Sequence, residues 1–331
     1  MNSNRKKIKG LGLCSGGLDS ILSGVVLREQ GIHVEWISFE TPFFAADKAR
    51  KASAMTGIPL RVQRITPVYL EMLKNPPCGY GKHMNPCLDC HALMFRLAGE
   101  VMAKEGFNFL FSGEVLGQRP MSQTRPSLRY VEKHSGYDGY LIRPLSALRL
   151  EESVPEREGL VDRKKLLGIA GRGRKDQIRL ARHYGIADYP APAGGCLLTD
   201  KGYANRLRDL FRHQEDTPEN ALELLKYGRH FRLDGHTKIV VGRTKADNER
   251  IQRCFNPRED TSLKTIGYPG PTVVMPGGGD EGTVLLAAAI CAGYTKAPGD
   301  GPVQVKVGAP SGSRTVTVLP IKPGSVSKML I

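Results

Sequence analysis

A parallel α/β sheet with helices on both faces, followed by a small α+β domain, is the fold class this sequence predicts, and three observations predict it. Through the first half, short apolar runs alternate with helix-period stretches, as a sheet built from strand-helix-strand units requires. Between the first run and the first helix stands Ser15-Gly16-Gly17-Leu18-Asp19-Ser20, a glycine-rich turn of the kind that leaves a strand and opens a helix. From about His230 the texture changes to short strands rich in Gly and Pro, the mark of a separate module.

Taken in order, the expected strands of the first domain are Ile8 to Cys14, Val34 to Phe39, Leu60 to Ile65, Phe107 to Phe111 and Tyr140 to Ile142. The helices between and after them are expected at Asp19 to Gln30, Ala45 to Thr56, Leu88 to Lys104 and Lys175 to Tyr184. Ile21 with Val25, and Leu22 with Val26, give the first helix an inward stripe at i, i+4, and Gly31 ends it. Pro190, Pro192, Gly194 and Gly195 break the pattern. Lys201 to Arg212 and Pro218 to Tyr227 then read as two connecting helices. The last domain is expected to hold strands at Lys238 to Val241, Thr272 to Val274, Val303 to Val307 and Thr315 to Leu319, with a long apolar helix at Glu281 to Tyr294. The resulting division is a Rossmann-like domain over 1–200, a helical linker over 201–229 and an α+β domain over 230–331.

The charge is strongly basic: 48 Lys and Arg against 33 Asp and Glu give a net +15, which favours a polyanionic partner. Between Arg163 and Arg182 eight basic residues face one acid, Asp176. A solvated helix face is the alternative, and phosphate contact is favoured because the run lies just upstream of Cys196. Arg172, Arg174, Lys175 and Arg179 are the RNA-contacting candidates there, with Arg243 and Lys245 in the last domain. The longest apolar run, Val284 to Ala292, is too short for a membrane span, and the polar, basic N-terminus carries no signal-peptide stretch. A cytoplasmic protein without membrane contact is therefore expected.

In a doubly wound sheet, ligands sit beyond the carboxyl ends of the strands, where the loops meet. The notable motifs fall in such loops: the glycine turn, Glu40-Thr41-Pro42, Ser112 to Thr124 and Arg143-Pro144-Leu145. A glycine turn opening a helix aims backbone N–H groups and the positive helix end at one point, which suits phosphate. No Walker loop is present, since Gly79-Tyr80-Gly81-Lys82 lacks both the first glycine and the hydroxyl; Gly277-Gly278-Gly279 reads as a loop. Ser15, Gly16, Gly17 and Ser20 are expected to cradle the β and γ phosphates of ATP. Asp19 serves Mg²⁺ or the loop, or is an acidic first-turn residue only. Cys14 and Phe39, near the ends of the first two apolar runs, complete the nucleotide set.

Seven cysteines in a chain of this kind point to metal or sulfur chemistry. Cys87 and Cys90 stand three apart at a helix start, where the helix N-terminus favours thiolates. Cys196 follows Pro190-Ala191-Pro192-Ala193-Gly194-Gly195, small residues that leave room near the backbone. Three readings stay open. Cys87, Cys90 and Cys196 hold a 4Fe-4S cluster with one iron open for hydrosulfide; Cys78, Cys87 and Cys90 bind zinc with His83 or His91; or Cys196 carries a persulfide that Cys87 or Cys90 resolves, with no metal. Cys14, Cys254 and Cys291 sit in apolar segments and are read as core residues.

Ser15 to Ser20 resembles the PP-loop signature Ser-Gly-Gly-x-Asp-Ser of ATP pyrophosphatases, which cleave ATP between the α and β phosphates and adenylate a substrate. Ser112-Gly113-Glu114-Val115-Leu116-Gly117-Gln118, followed by Ser122-Gln123-Thr124, is similar to the Thr-Gly-Glu-x-Leu-Gly-Gln…Ser-Gln-Thr segment of the tRNA 4-thiouridine synthases of the ThiI type, with one extra residue before Ser122. That resemblance implies ATP contacts at Gly113 and Gln123, and Gln118 joins the nucleotide set. His91 departs from the family, which has a basic ATP contact at its place. Asn85-Pro86-Cys87-Leu88-Asp89-Cys90 resembles instead the Asn-Pro-x-x-x-Cys segment of the tRNA 2-thiouridylases. Cys196 matches in order the late catalytic cysteine of both groups, and the cysteine trio resembles that of cluster-dependent thiouridylases and thiocytidine synthases. These resemblances cover roughly residues 8 to 200. The PP-loop begins almost at once, so RNA must be gripped elsewhere. Lys238 to Leu319, with Val240-Val241-Gly242-Arg243-Thr244-Lys245-Ala246-Asp247-Asn248-Glu249 and the helix at Leu285 to Ala292, resembles the RNA-binding domain of NFACT proteins.

The function these resemblances imply is ATP-dependent tRNA sulfur transfer at a uridine carbonyl, with ATP, Mg²⁺ and a 4Fe-4S cluster (or zinc, or no metal) as cofactors. Cys196, Asp19, Cys87 and Cys90 carry the chemistry. The partners are tRNA and a sulfur donor, either a cysteine desulfurase or free sulfide. The competing classes are a PP-loop enzyme adenylating a small molecule and a non-catalytic RNA-binding protein.

Overall fold

The computed structural model describes residues 7–191, 196–297 and 301–331. The chain divides into two compact units, Met1–Thr199 and Asp200–Ile331.

Among the described residues the first unit runs β1 (Lys9–Leu13), α1 (Leu18–Arg28), β2 (His33–Glu40), α2 (Asp47–Thr56), β3 (Leu60–Arg64), α3 (Thr66–Lys74), α4 (Cys87–Glu105), β4 (Phe109–Ser112), α5 (Arg125–His134), β5 (Leu141–Ile142), α6 (Val154–Arg157) and α7 (Lys175–His183). Its five strands lie in the order β3-β2-β1-β4-β5, all parallel. The chain leaves β1 toward β2 and β3, then returns to β4 on the other side of β1. The strand order therefore reverses between β1 and β4, and the crevice at their carboxyl ends is where such a sheet binds ligands. Both flanking loops of that crevice carry the motifs singled out above.

The central strands β1 and β4 are buried on successive residues, as in a parallel sheet covered on both faces, and the buried stripe of α1 (Leu18, Ile21, Leu22, Val25, Val26) joins Trp36, Phe109 and Phe111 in one core. Ala181 and Ile178 of α7 pack into the same core, which brings α7 alongside α1. Three helices of this unit were not expected, the four-residue α6 among them. In α3, proline in the first turn starts a helix that the apolar spacing of Tyr69 and Leu73 then buries. In α5, Thr124 caps the helix through the N–H of Ser127.

A buried ion pair ties β4 to β5. Glu114 lies just beyond β4, and its carboxylate accepts from Nε of Arg143 at 3.0 Å and faces Nδ1 of His91 at 2.9 Å. Both Glu114 and Arg143 are buried. Burial alone would raise the Glu114 pKa, yet the Arg143 guanidinium and His91 outweigh it and hold it at about 2. His91 is thus engaged inside the protein by Glu114.

The second unit holds α8 (Lys201–His213), α9 (Glu219–Leu224), β6 (Arg229–Arg232), β7 (Lys238–Val241), α10 (Lys245–Cys254), β8 (Thr261–Thr265), β9 (Val273–Met275), α11 (Glu281–Gly293), β10 (Val303–Ala309) and β11 (Gly312–Val318). Its strands form one antiparallel sheet in the order β11-β10-β8-β9-β7-β6. The alanine-rich α11 covers one face, burying Ala287, Ala288, Ile290 and Cys291 against Val305 and Leu263. The two helices expected as a linker pack within this unit: Leu224 joins Val240, Ile251 and Val274 in a small cluster, and Asp209 of α8 pairs with Arg232 of β6. No helix among the described residues is long and apolar enough to cross a membrane.

Two expectations follow. A Cβ at Gly113 would stand 2.4 Å from the carbonyl carbon of Asp19, so Gly113→Ala must push the loop off α1 and cost about 1–3 kcal/mol in urea unfolding. An unchanged midpoint would contradict the contact. The folded-state pKa of Glu114 lies below the ordinary 4.5, so its stabilisation is complete above pH 4.5 and is lost as the pH falls toward about 2. Glu114→Gln should cost about 3 kcal/mol at neutral pH, because it leaves Arg143 short of its buried partner, and should flatten the acid limb of the stability curve.

Candidate active site

The glycine turn is held open at the carboxyl end of β1. Gly16 adopts φ +70°, and a Cβ there would meet the Lys48 carbonyl carbon at 2.2 Å, so only glycine lets the turn pass the start of α2. Gly17 is the extended N-cap of α1 and has no side-chain cap. The first-turn N–H groups therefore face the crevice without a capping side chain, as an anion site requires. Ser20 Oγ donates to the Gly17 carbonyl at 2.8 Å and Ser15 lies exposed beside it. Cys14 and Phe39 are both buried, and burial pushes the Cys14 thiol up to about 11.

Opposite the turn, the loop after β4 is closed by two backbone bonds, Gly117 N–H to Gln123 at 2.7 Å and Gln123 N–H to Arg119 at 3.0 Å. Gln118 Nε2 donates to Asp19 Oδ2 at 2.7 Å, and Gln177 Nε2 of α7 donates to Gln118 Oε1 at 3.1 Å. Three elements thus fix Asp19. Burial raises its pKa, against the Gln118 bond and the nearby Arg174 and Arg119. Around this chain, Asp19 Oδ1, Gln177 Oε1, Gln123 Oε1 and Arg174 Nε are buried without a hydrogen-bond partner. Unpaired buried polar atoms cost roughly 1–3 kcal/mol each, so four of them at one strand end mark a place that a polar ligand completes. The set, two amide oxygens, a carboxylate oxygen and a guanidinium N–H beside a helix start, fits a nucleotide phosphate with Mg²⁺.

Arg174, taken from sequence as an RNA contact, is half-buried and faces Asp19. Arg172, Lys175 and Arg179 of the same run are exposed, Arg179 paired with Asp176 at 3.0 Å. Arg163 is held by Glu156 at 2.6 Å.

The three cysteines converge. Cys87 is the first residue of α4, and the Met84 N–H just before it donates to the Leu198 carbonyl at 3.2 Å, which draws the segment after Cys196 onto this helix start. Cys196 lies within electrostatic reach of both Cys90 and Cys87. Residues 192–195, the small residues expected to leave room beside Cys196, lie outside the described residues. Tyr69 of α3 is fully buried, with its hydroxyl against the Cys90 thiol. Sequence reasoning missed Tyr69; the proline-started helix that carries it was the available signal.

The expectation of thiolates at the helix start is corrected. Burial raises the pKa of all three thiols, Cys196 to about 11, and the approach of Cys87 adds to it. For Cys87 the Asn85 side chain and Arg119 oppose burial without overcoming it. As free side chains these cysteines are neutral thiols. Among the described residues no three His, Cys, Asp or Glu side chains form a ready single-ion metal site. The proposed zinc set is divided, with His91 on Glu114 and Cys78 beside Asp89, which accepts from the Cys78 N–H and the Tyr130 hydroxyl. Cys87, Cys90 and Cys196 lie within electrostatic reach of one another, and the Asp89 carboxylate also acts on Cys90.

In the second unit, the Val-Gly-Arg-x-x-x-x-Asn segment serves structure at both ends. Asn248 Oδ1 accepts from the Thr272 N–H at 2.9 Å and fills the space a Gly242 side chain would need. Arg243 Nε donates to Asp247 at 2.7 Å, leaving its exposed face and Lys245 toward solvent.

Residues 6–155 match the family model described as thiamine biosynthesis protein (ThiI), and residues 228–329 match the NFACT protein RNA binding domain. A probable tRNA sulfurtransferase of Oceanobacillus iheyensis is 27% identical over 155 residues, covering 44% of this chain and 37% of that protein. One of Staphylococcus epidermidis is 28% identical over 160 residues, covering 46% and 38%. The chain thus spans less than two fifths of the length of these curated relatives. A solved structure described as a predicted subunit of tRNA methyltransferase from Methanocaldococcus jannaschii aligns over 53% of this chain and 76% of its own, at 16% identity and a TM-score of 0.35. The chain thus joins, in sequence, a segment that matches the ThiI family model to one that matches the NFACT RNA binding domain.

Proposed function

We propose that this chain is an ATP-dependent tRNA sulfurtransferase that adenylates a base carbonyl and replaces its oxygen with sulfur, as its relatives' names and its two family matches suggest. What supports the reading is the orphaned polar seat around Asp19 in a chain that also brings Cys87, Cys90 and Cys196 within electrostatic reach of one another. A small-molecule adenylating enzyme needs no RNA-binding domain, and a non-catalytic RNA-binding protein needs no seat of buried, unpaired polar atoms beside thiols.

Oxide is a poor leaving group, so the carbonyl oxygen must first be esterified. The base oxygen attacks the α-phosphorus of ATP, the bond to the β-phosphate oxygen breaks, and pyrophosphate departs. The N–H groups at the start of α1, with Ser15 and Ser20, meet that charge with dipoles already in place. Asp19, held by Gln118, would bind Mg²⁺. A sulfur nucleophile then adds to the activated carbon, and the carbon–oxygen bond breaks to release AMP. A 4Fe-4S cluster on Cys87, Cys90 and Cys196 would supply an iron open to hydrosulfide. The same trio serves the metal-free route, in which Cys196 persulfide is the donor and Cys87 or Cys90 closes a disulfide that a thiol reductant reopens. Exposed Arg172, Lys175, Arg179 and Lys245 and the NFACT-type domain supply RNA affinity, and the site of action is the cytoplasm.

The test is anaerobic thiolation of bulk tRNA with ATP and, in separate reactions, sulfide or a cysteine desulfurase with cysteine and a thiol reductant, read by nucleoside mass spectrometry that separates 4-thiouridine, 2-thiouridine and 2-thiocytidine. Cys196→Ala should abolish thiolation while ATP still binds, and Asp19→Ala should slow pyrophosphate release by about 100-fold or more. Full thiolation by Cys196→Ala protein would contradict both sulfur routes. Anaerobically purified protein should be brown with about four irons per chain; a colourless protein that is active with the desulfurase and thiol reductant but not with sulfide decides for the persulfide.

A further inference from the structure

We propose that Arg119 is a catalytic residue that holds the α-phosphate of the nucleotide at the border between the ATP seat and the thiols. The assignment rests on the reading of function above and adds a residue that neither family motif contains, since Arg119 falls within the stretch between Gln118 and Ser122 that carries the extra residue. Its placement is fixed. Leu116 is bonded to the Ser146 hydroxyl at 2.9 Å and to the Gly171 N–H at 2.7 Å, and Gln123 closes the turn on the Arg119 carbonyl at 3.0 Å. Pro120 restricts the backbone of Arg119 to extended conformations. The preceding residue, Gln118, touches Asp19 at 2.7 Å, so the Arg119 side chain starts one residue from the nucleotide seat.

Among the described residues, that side chain makes no hydrogen bond or close ion pair. It is exposed, and its charge reaches both Asp19 and Cys87. Arg119 is thus a cation with no structural partner on the loop that Gln118 ties to Asp19, where the group left for it to meet is the α-phosphate of a nucleotide seated on the glycine turn, attacked from the base and later expelled as AMP. His91, the residue at the family's cationic position, is occupied by Glu114, which leaves this charge to be supplied from elsewhere. During attack, negative charge builds on the non-bridging α-phosphate oxygens as the bond to pyrophosphate breaks. A guanidinium there stabilises that charge and then the departing AMP, with no oxidant or reductant involved.

The test is steady-state pyrophosphate release by the full chain with ATP and bulk tRNA. Arg119→Ala should lower kcat about 100-fold with the ATP KM within about threefold, and Arg119→Lys should recover about tenfold of the loss. Thermal unfolding should not move, because the side chain holds nothing in the fold. Wild-type kcat in Arg119→Ala, or a loss confined to KM, overturns the assignment while the reading of function stands. A wild-type protein that releases no pyrophosphate with tRNA removes that reading, and this assignment with it.

Discussion

The close approach of Gly113 to the peptide joining Asp19 and Ser20 is the constraint on which the first unit's site depends. With no side chain at 113, the loop after β4 lies directly on the first turn of α1. That contact is possible because β4 is hydrogen-bonded beside β1, the point where the strand order reverses. From it follow the Gln118 bond to Asp19, the closure of the 117–123 turn and the position of Arg119. The buried Glu114 and Arg143 pair, one residue further on, keeps the loop's root from drifting.

The two halves of the site are built on opposite electrostatic logic. At the Asp19 end of the sheet three oxygens and one guanidinium N–H are buried without partners, beside a helix start that has no side-chain cap. In the thiol half, burial raises all three thiol pKa values and each thiol opposes the ionisation of its neighbours, while the Tyr69 hydroxyl acts in the other direction at Cys90 without overcoming burial. Neutral, crowded thiols are slow nucleophiles, which suits residues that carry sulfur or bind a cluster rather than attack substrate themselves.

Much of this was legible in the sequence, and the rest was not for identifiable reasons. The strands β1 to β4 and helices α1, α2, α4 and α7 follow from apolar period and caps, with ends within two or three residues. The helix α3 was hidden because its Pro67 follows a strand and reads as a breaker, although proline is at home in a first turn. In the second unit β6 and β8 are polar in sequence (Arg229-His230-Phe231-Arg232 and Thr261-Ser262-Leu263-Lys264-Thr265) and take their strand form from their neighbours. The seat of Ser15 to Ser20 was plain from a local motif. The partners of Asp19 were not, because Gln118 and Gln177 lie 99 and 158 residues away and only the sheet topology unites them. Likewise Arg174 read as part of a basic run, and only tertiary structure turns it inward.

The central claim is that the ATP seat and the thiols of Cys87 and Cys196 form one site. Alkylation of each cysteine, followed by peptide mass spectrometry in the metal-free protein with and without a non-hydrolysable ATP analogue and Mg²⁺, tests it most directly. The account predicts that the nucleotide slows modification of Cys87 and Cys196 and leaves exposed Cys78 unaffected. Equal rates at Cys87 and Cys196 with and without a saturating analogue would contradict it.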